Sequence, residues 1–172
     1  MRRGGHALPR GPRRDATVRR PHQPEEHHVS DAKTLYTAIA TSTGEGRRNG
    51  RVTTTDGSVS ADLAIPTEMG GTGEGTNPEA LFASGYAACF HSALKHVAAQ
   101  EKVQIKDSAV VAEVSLHPND EGGFKLSVAL HAECGGVDQE TADRLVAAAH
   151  TVCPYSNATR GNIDVTVDAT VG

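Results

Sequence analysis

Two of the three cysteines in this chain stand in settings where a thiol could do chemistry. Cys89 lies within an apolar run, residues 76–90, that has the composition of a buried helix. Cys153 begins the segment Cys153-Pro154-Tyr155-Ser156, just after a second, amphipathic helical pattern. The thiolate is the reactive form of cysteine, and local charge controls how much of it exists. Two thiols that are distant in sequence can meet in a fold and cycle between dithiol and disulfide.

Around these cysteines the chain resembles the organic hydroperoxide resistance (Ohr) proteins of the OsmC superfamily. The similarity extends from about residue 35 to residue 171 and depends on several segments that are specific in combination. These segments are Leu35-Tyr36-Thr37-Ala38, Gly75-Thr76-Asn77-Pro78-Glu79, Gly85-Tyr86-Ala87-Ala88-Cys89-Phe90, Ala93-Leu94-Lys95, Val152-Cys153-Pro154-Tyr155-Ser156 and Asn157-Ala158-Thr159-Arg160-Gly161-Asn162. The segments around Cys89 and Cys153 look more like Ohr than like its sister OsmC branch.

The resemblance implies a thiol-dependent peroxidase in which Cys89 attacks an organic hydroperoxide. Cys153 would then condense with the sulfenic acid on Cys89, and the resulting disulfide would protect Cys89 from further oxidation. Such a bond requires the two Cα atoms to lie within about 7 Å of each other. Without the resemblance, Cys89 is interpreted as a small core hydrophobe, and Cys153 as a thiol of no consequence at a helix end. Cys134 matches no family segment and is interpreted as structural.

The family also has an arginine in the loop between its first two strands, and a cation there would stabilise the leaving alkoxide. Counting back from Asp56-Gly57 selects Arg48 in this chain, although Arg47 remains an alternative and Arg51 a weaker one. Arginine suits the role because it stays charged and its guanidinium can bind two oxygens. The competing interpretation is an ordinary solvated arginine in a hairpin.

Glu79 is predicted to position this arginine, because it belongs to the matching Asn-Pro-Glu segment. Its ordinary explanation is that acidic residues are favoured in the first turn of any helix. Ten residues separate Glu79 from Cys89, which corresponds to about 15 Å along a helix. We therefore predict that the Arg48–Glu79 pair reaches the two thiols across a dimer interface, or through an arginine that folds back between them.

The elements that must position these residues follow an α+β pattern. In chain order they are strands at 35–42 and 52–65, the latter broken by a hairpin at 56–57, a helix at 77–100, strands at 108–117 and 124–134, a helix at 137–152 and a strand at 162–171. The first helix is apolar nearly all round, so it should be buried on most sides. The family implies an intertwined homodimer, with antiparallel strands wrapped around two long central helices.

Charge divides the chain at about residue 30. Residues 1–30 hold seven arginines and three acidic residues, whereas residues 31–172 hold ten basic and eighteen acidic residues. We expect residues 1–30 to be disordered or an over-extended gene start, with Val29 as a natural alternative start, and residues 31–172 to form the peroxidase domain. A transit peptide fits poorly with Glu25, Glu26 and the prolines. The acidic body gives no support for binding nucleic acid.

Three cysteines are an odd number, and without an apolar signal segment they favour a reducing, cytoplasmic compartment. No apolar run approaches the roughly 20 residues that span a bilayer.

We expect no cofactor and no metal. The glycine-rich loop at 70–75 lacks the Gly-Lys-Ser/Thr ending of a phosphate-binding loop, and the histidines at 22, 27 and 28 belong to the first thirty residues.

Apolar residues around the cysteines suggest alkyl, aryl or lipid hydroperoxides as substrates. They are Leu81, Phe82, Tyr86, Phe90 and Tyr155. The family implies reduction by a dithiol, typically lipoyl groups on proteins. Two other functions remain open: an OsmC-type peroxidase with osmotic-stress roles, and a redox-responsive binding protein whose disulfide switches a partner surface.

Overall fold

The computed structural model describes residues 33–172, so the predicted N-terminal extension at residues 1–30 lies outside the described residues. All regular elements lie between Ala38 and Gly172. They are β1 (Ala40–Gly44), β2 (Gly50–Thr54), β3 (Ser60–Asp62), α1 (Pro78–Gln100), β4 (Lys106–Pro118), β5 (Phe124–Gly135), α2 (Gln139–Val152), α3 (Pro154–Thr159) and β6 (Asp164–Thr170). This set of elements confirms the predicted α+β class.

The first three strands form an antiparallel sheet in the order β1-β2-β3. The predicted hairpin at Asp56-Gly57 joins β2 to β3, and Gly57 has a positive φ of 73° that favours glycine. The first strand begins later than the predicted residue 35. Pairing starts at Ala40, which lies opposite Thr54 at the end of β2. The Ile39 carbonyl accepts from the amide of Thr55, just beyond β2, but no described residue before Ala40 belongs to the β1–β2 ladder. Alternation alone therefore predicts the boundary too early.

The second sheet has the order β4-β5-β6 and carries the main core. β4 and β5 are antiparallel, as predicted, but β6 pairs in parallel with β5. The expectation of antiparallel strands throughout is therefore wrong for β6. The helices α2 and α3 lie between β5 and β6 in the chain. A crossover of this kind returns the chain to the end of the sheet at which β5 begins, so that β6 can run parallel to β5.

The helices α1 and α2 bury apolar faces in one cluster with the second sheet. Tyr86, Phe90 and Leu94 of α1 lie in this cluster with Leu145 of α2 and Leu130 of β5, and all five are fully buried. α1 begins as the sequence predicts: the side chain of Asn77 accepts a hydrogen bond from the amide of Ala80 at 2.8 Å, and Pro78 occupies the first helical position.

One face of α1 is left uncovered by the other described residues. Ser84, Ala88 and Ser92 follow one another at intervals of four residues, and all three are exposed. The described elements therefore leave this face of α1 open, and the predicted burial on most sides is incomplete among them.

Leu145 offers a direct test of this core. Replacing Leu145 with alanine is expected to lower the free energy of unfolding by about 2–5 kcal/mol, because the side chain is fully buried and its loss leaves a cavity. Urea unfolding followed by circular dichroism measures the change. Val152→Ala on the same helix is the control, since Val152 is 46% exposed and its truncation should cost no more than about 0.5 kcal/mol. Equal losses in the two variants would contradict this packing.

Candidate active site

The two predicted thiols meet although they stand 64 positions apart in the chain. The Sγ atoms of Cys89 and Cys153 are 3.6 Å apart, and both residues are free thiols. Cys89 lies near the middle of α1 and is partly exposed, whereas Cys153 is fully buried. A disulfide has an S–S distance of about 2.05 Å. On oxidation, the two sulfurs would therefore need only a small approach to form the bond.

The electrostatic surroundings of Cys89 have three components within the described residues. Burial raises the pKa of the Cys89 thiol, the backbone N–H of Tyr155 lowers it, and the neighbouring Cys153 thiol raises it, with a net upward shift. None of these contributions comes from a cation. A positive charge brought near Cys89 would oppose the effect of burial by favouring the thiolate.

Removing Cys153 is expected to lower the pKa of Cys89. Cys153→Ala eliminates the hydrogen bond and the charge interaction that raise this pKa, while the backbone N–H of Tyr155 still lowers it. A lower pKa means more thiolate at a fixed pH below it, so Cys89 should react faster with iodoacetamide at neutral pH. The rates are compared in a Cys134→Ala background, in which no third thiol interferes. Slower alkylation after removal of Cys153 would show that the sign is wrong.

A second polar group lies at the N-terminal end of α1. Arg47 Nη2 donates to Glu79 Oε1 at 2.8 Å, and Arg47 Nη1 donates to Glu79 Oε2 at 3.2 Å. This two-point geometry is the strong form of the arginine–carboxylate pair. The Glu79 side chain is only 16% exposed and the Arg47 side chain 36%. The guanidinium is thus fixed in orientation while part of it remains accessible.

The arginine that pairs with Glu79 is Arg47, the alternative, and not Arg48. The sequence count selected Arg48, but the short 3-10 turn Gly46–Arg48 presents Arg47 to Glu79. Successive residues of such a turn point in different directions. Arg51 is engaged elsewhere, since it donates to Asp62 and to Ser60.

The ion pair and the thiols occupy different parts of the same helix. Glu79 lies in the first turn of α1, and Cys89 follows ten residues later on the same continuous helix, so about 15 Å separate them along its axis. A cleft of about 330 Å³ adjoins Glu79 and is lined by Met69, Ala83 and Leu116 among others. The chain therefore holds two separate parts of the predicted site.

An aromatic cluster lies beside Cys89. The ring centroids of Phe82, Tyr86 and Tyr155 are 5.6–6.0 Å apart. The Tyr155 ring lies directly against Gly85, where an added Cβ would come within 2.9 Å of the tyrosine hydroxyl. Glycine at this position lets the ring rest on the surface of α1. The accessible rings of Phe82 and Tyr155 form an apolar wall close to the thiols.

The hydroxyl group of Tyr86 has a role that the sequence analysis missed. Its Oη donates to Ser156 Oγ at 3.0 Å and lies 3.2 Å from Thr159 Oγ1, and all three groups are buried. In the sequence, Tyr86 stands out only as an apolar residue near Cys89. The available signal was that a buried tyrosine normally finds a partner for its hydroxyl, and Ser156 stands in the matching Cys-Pro-Tyr-Ser segment.

The remaining candidates are less suited to chemistry. His150 is half-buried, and burial together with the nearby Arg160 lowers its pKa. Cys134 is fully buried, and burial raises its pKa although the charge of Lys95 lowers it. Within residues 33–172 no three potential metal ligands cluster together. No described helix combines the length and hydropathy required to cross a membrane.

Comparison with known proteins agrees with this arrangement. The OsmC-like protein family matches residues 71–168, more than half of the chain. The chain belongs to the OsmC/Ohr family. It is 49% identical over 140 residues to the organic hydroperoxide resistance protein of Xanthomonas axonopodis pv. citri, which covers 81% of this chain and 97% of that protein. These comparisons confirm the resemblance that the sequence segments indicated.

Two further OsmC/Ohr proteins are similar over most of their length. The chain is 46% identical over 135 residues to the organic hydroperoxide resistance protein OhrB of Bacillus subtilis, which covers 78% of this chain and 97% of that protein. The crystal structure of an organic hydroperoxide resistance protein OsmC from Legionella pneumophila superposes with a TM-score of 0.77 at 56% identity. That match covers 81% of this chain and 100% of the Legionella chain.

Proposed function

We propose that this OsmC/Ohr protein is a thiol-dependent peroxidase that reduces organic hydroperoxides to alcohols. The observation that carries the proposal is the 3.6 Å distance between the sulfurs of Cys89 and Cys153. Relatives that are close to half identical over nearly their full length are named for organic hydroperoxide resistance. A pair of adjacent free thiols can supply the two electrons that such a reduction consumes.

The reaction divides into two steps that together take two electrons from the thiols. The Cys89 thiolate attacks a peroxide oxygen, the O–O bond breaks, and the alkoxide leaves and takes up a proton to become the alcohol. Cys89 is left as a sulfenic acid. The Cys153 thiol then attacks Cys89 Sγ, the disulfide forms, and the hydroxyl leaves with the thiol proton as water. A dithiol outside the chain restores both thiols by exchange.

Arg47 would supply the positive charge for the first step. An ordinary thiol has a pKa of about 8.5, so complete ionisation raises the thiolate population at pH 7 by only about thirtyfold. Most of the acceleration must therefore come from stabilising the leaving alkoxide, and a fixed cation aimed at that oxygen can do this. Glu79 would hold Arg47 in place by its two-point pair.

We propose that the site is completed between two copies of the chain. Glu79 and Cys89 are too far apart on α1 for Arg47 to reach the thiols while it stays paired with Glu79, unless the arginine folds back. The exposed face of α1 fits a second copy, because Ser84 and Ser92 donate to carbonyls of their own helix and leave no hydroxyl unsatisfied. Small residues at intervals of four allow two helices to approach closely. An intertwined homodimer would thereby bring the Arg47–Glu79 pair to the partner subunit's Cys89.

The preferred substrates would be alkyl, aryl or lipid hydroperoxides, because the accessible rings of Phe82 and Tyr155 offer apolar contact that hydrogen peroxide cannot use. We propose a lipoyl-type dithiol on a protein as the reductant, acting in a reducing cytoplasm where a disulfide is transient. Comparing turnover with dihydrolipoamide and with thioredoxin tests the choice of reductant. Equal or faster turnover with thioredoxin would count against a lipoyl-type reductant.

The function is tested by adding one equivalent of cumene hydroperoxide to the reduced protein and mapping its peptides. A Cys89–Cys153 cross-link formed within seconds, followed by repeated turnover with a dithiol, is the expected result. Unmodified thiols, or a cross-link through Cys134, would overturn the proposal. A single oxidation without turnover would favour a redox-responsive binding protein instead.

A further inference from the structure

The position of the Cys153 sulfur depends on how α3 is held. Cys153 is the one residue between α2 and α3, and its backbone is extended, with φ −64° and ψ 123°. Its amide donates to Ala149 in α2, and its carbonyl accepts from Asn157 in α3. Pro154 then opens α3 with a restricted φ. Any movement of α3 relative to α1 would therefore move the Cys153 thiol relative to Cys89.

A buried hydrogen bond joins α3 to α1 close to both thiols. The Tyr86 hydroxyl on α1 donates to Ser156 on α3 and lies next to the Thr159 hydroxyl. Tyr86 precedes Cys89 by three residues, and Ser156 follows Cys153 by three residues. Among the described residues, it is Tyr86 whose hydroxyl donates to the Ser156 side chain. The bond thus connects the two segments that carry the thiols.

We infer that Tyr86 is a positioning residue for the second step, whose hydroxyl holds Cys153 within reach of the Cys89 sulfenic acid. The inference rests on the proposed function. In that step the Cys153 thiol must close a 3.6 Å gap to form an S–S bond before another hydroperoxide arrives. The competing reaction transfers a second peroxide oxygen to Cys89, which gives a sulfinic acid and another molecule of alcohol. A more mobile α3 favours that competing reaction.

The hydroxyl can be separated from the ring by experiment. Tyr86→Phe retains the aromatic contacts with Phe82 and Tyr155 and removes only the bond to α3. The reduced protein is treated with excess cumene hydroperoxide without reductant. Mass spectrometry then measures the ratio of Cys89 sulfinic acid to Cys89–Cys153 disulfide. We expect this ratio to rise about fivefold, the factor that corresponds to the loss of one ordinary hydrogen bond.

The amount of alcohol released in the first turnover should remain within about twofold of the native value, because Tyr86 acts after the O–O bond has broken. Thr151→Val is the matched control. It also removes a hydroxyl near Cys153, but this hydroxyl is exposed and bonds within α2. The control should leave the ratio of sulfinic acid to disulfide unchanged.

A double-mutant cycle with Ser156→Ala locates the effect at the bond. If Tyr86 acts through Ser156, the double variant should raise the ratio no further than either single variant does. Additive effects of the two substitutions would overturn the inference, as would a native ratio in Tyr86→Phe. A parallel fall in the first release of alcohol would overturn it too, since that indicates general disorder of the site. By contrast, native protein that forms no Cys89–Cys153 disulfide would refute the proposed function itself.

Discussion

Replacing Cys89 with serine is expected to abolish hydroperoxide reduction. The serine hydroxyl is not ionised near neutral pH, so the position loses the nucleophile that attacks the peroxide oxygen. Alcohol production from cumene hydroperoxide, measured by chromatography with dihydrolipoamide as reductant, should fall to the level without protein. The side chain is similar in size and only partly buried, so the fold should be preserved.

The other two cysteines provide the controls for this experiment. Cys134→Ser is expected to retain turnover, because Cys134 is fully buried in β5 and the 3.6 Å sulfur contact joins Cys89 to Cys153 instead. Cys153→Ser should release one equivalent of alcohol and then stall or over-oxidise at Cys89. Substantial turnover in Cys89→Ser, or a loss confined to Cys134→Ser, would place the chemistry at a different thiol.

Replacing Arg47 with alanine is expected to lower kcat/KM by about 10²–10³, the usual effect of removing one group that stabilises developing negative charge. Arg48→Ala is the matched control, because it removes the same charge from the neighbouring residue of the same turn. Only Arg47 of the two is paired with Glu79. Arg48→Ala should therefore change kcat/KM by no more than about twofold. A larger loss from Arg48→Ala than from Arg47→Ala would identify Arg48, the residue that the sequence predicts, as the catalytic arginine.

Mixed dimers distinguish the two routes by which Arg47 could reach the thiols. An Arg47→Ala subunit has intact thiols, and a Cys89→Ser subunit has an intact arginine. If each site combines the two subunits, refolding the variants together should restore about a quarter of native activity, since half of the dimers would contain one complete site. If Arg47 folds back within its own chain, the mixture should remain inactive.

The sequence predicts the long central elements well because their signals are local. Asn77 and Pro78 mark the start of α1, and Asp56-Gly57 marks a hairpin, through conformational preferences that act within a few residues. The pairing of Cys89 with Cys153 has no such local signal. The two residues lie 64 positions apart, and only the resemblance to a known family brought them together before the structure did.

Other features depend on tertiary geometry that no local pattern encodes. Which of Arg47 and Arg48 faces Glu79 is decided by the rotation of a single 3-10 turn, and counting from Asp56-Gly57 carries an error of one residue. α3 has only six residues, too few for an amphipathic period to stand out. The parallel pairing of β6 follows from the path of α2 and α3, which the alternation within β6 cannot reveal.

The place of the two thiols in the chain has a thermodynamic consequence. A bond between Cys89 and Cys153 would close a ring that contains all of β4, β5 and α2. By chain-entropy estimates, a closed ring of this length restricts the unfolded chain enough to stabilise the native state by about 4 kcal/mol. In each catalytic cycle the protein would thus alternate between an oxidised form that resists unfolding more strongly and a reduced form that resists it less. The reductant would have to open the bond against this gain, and the melting temperature would report the oxidation state directly.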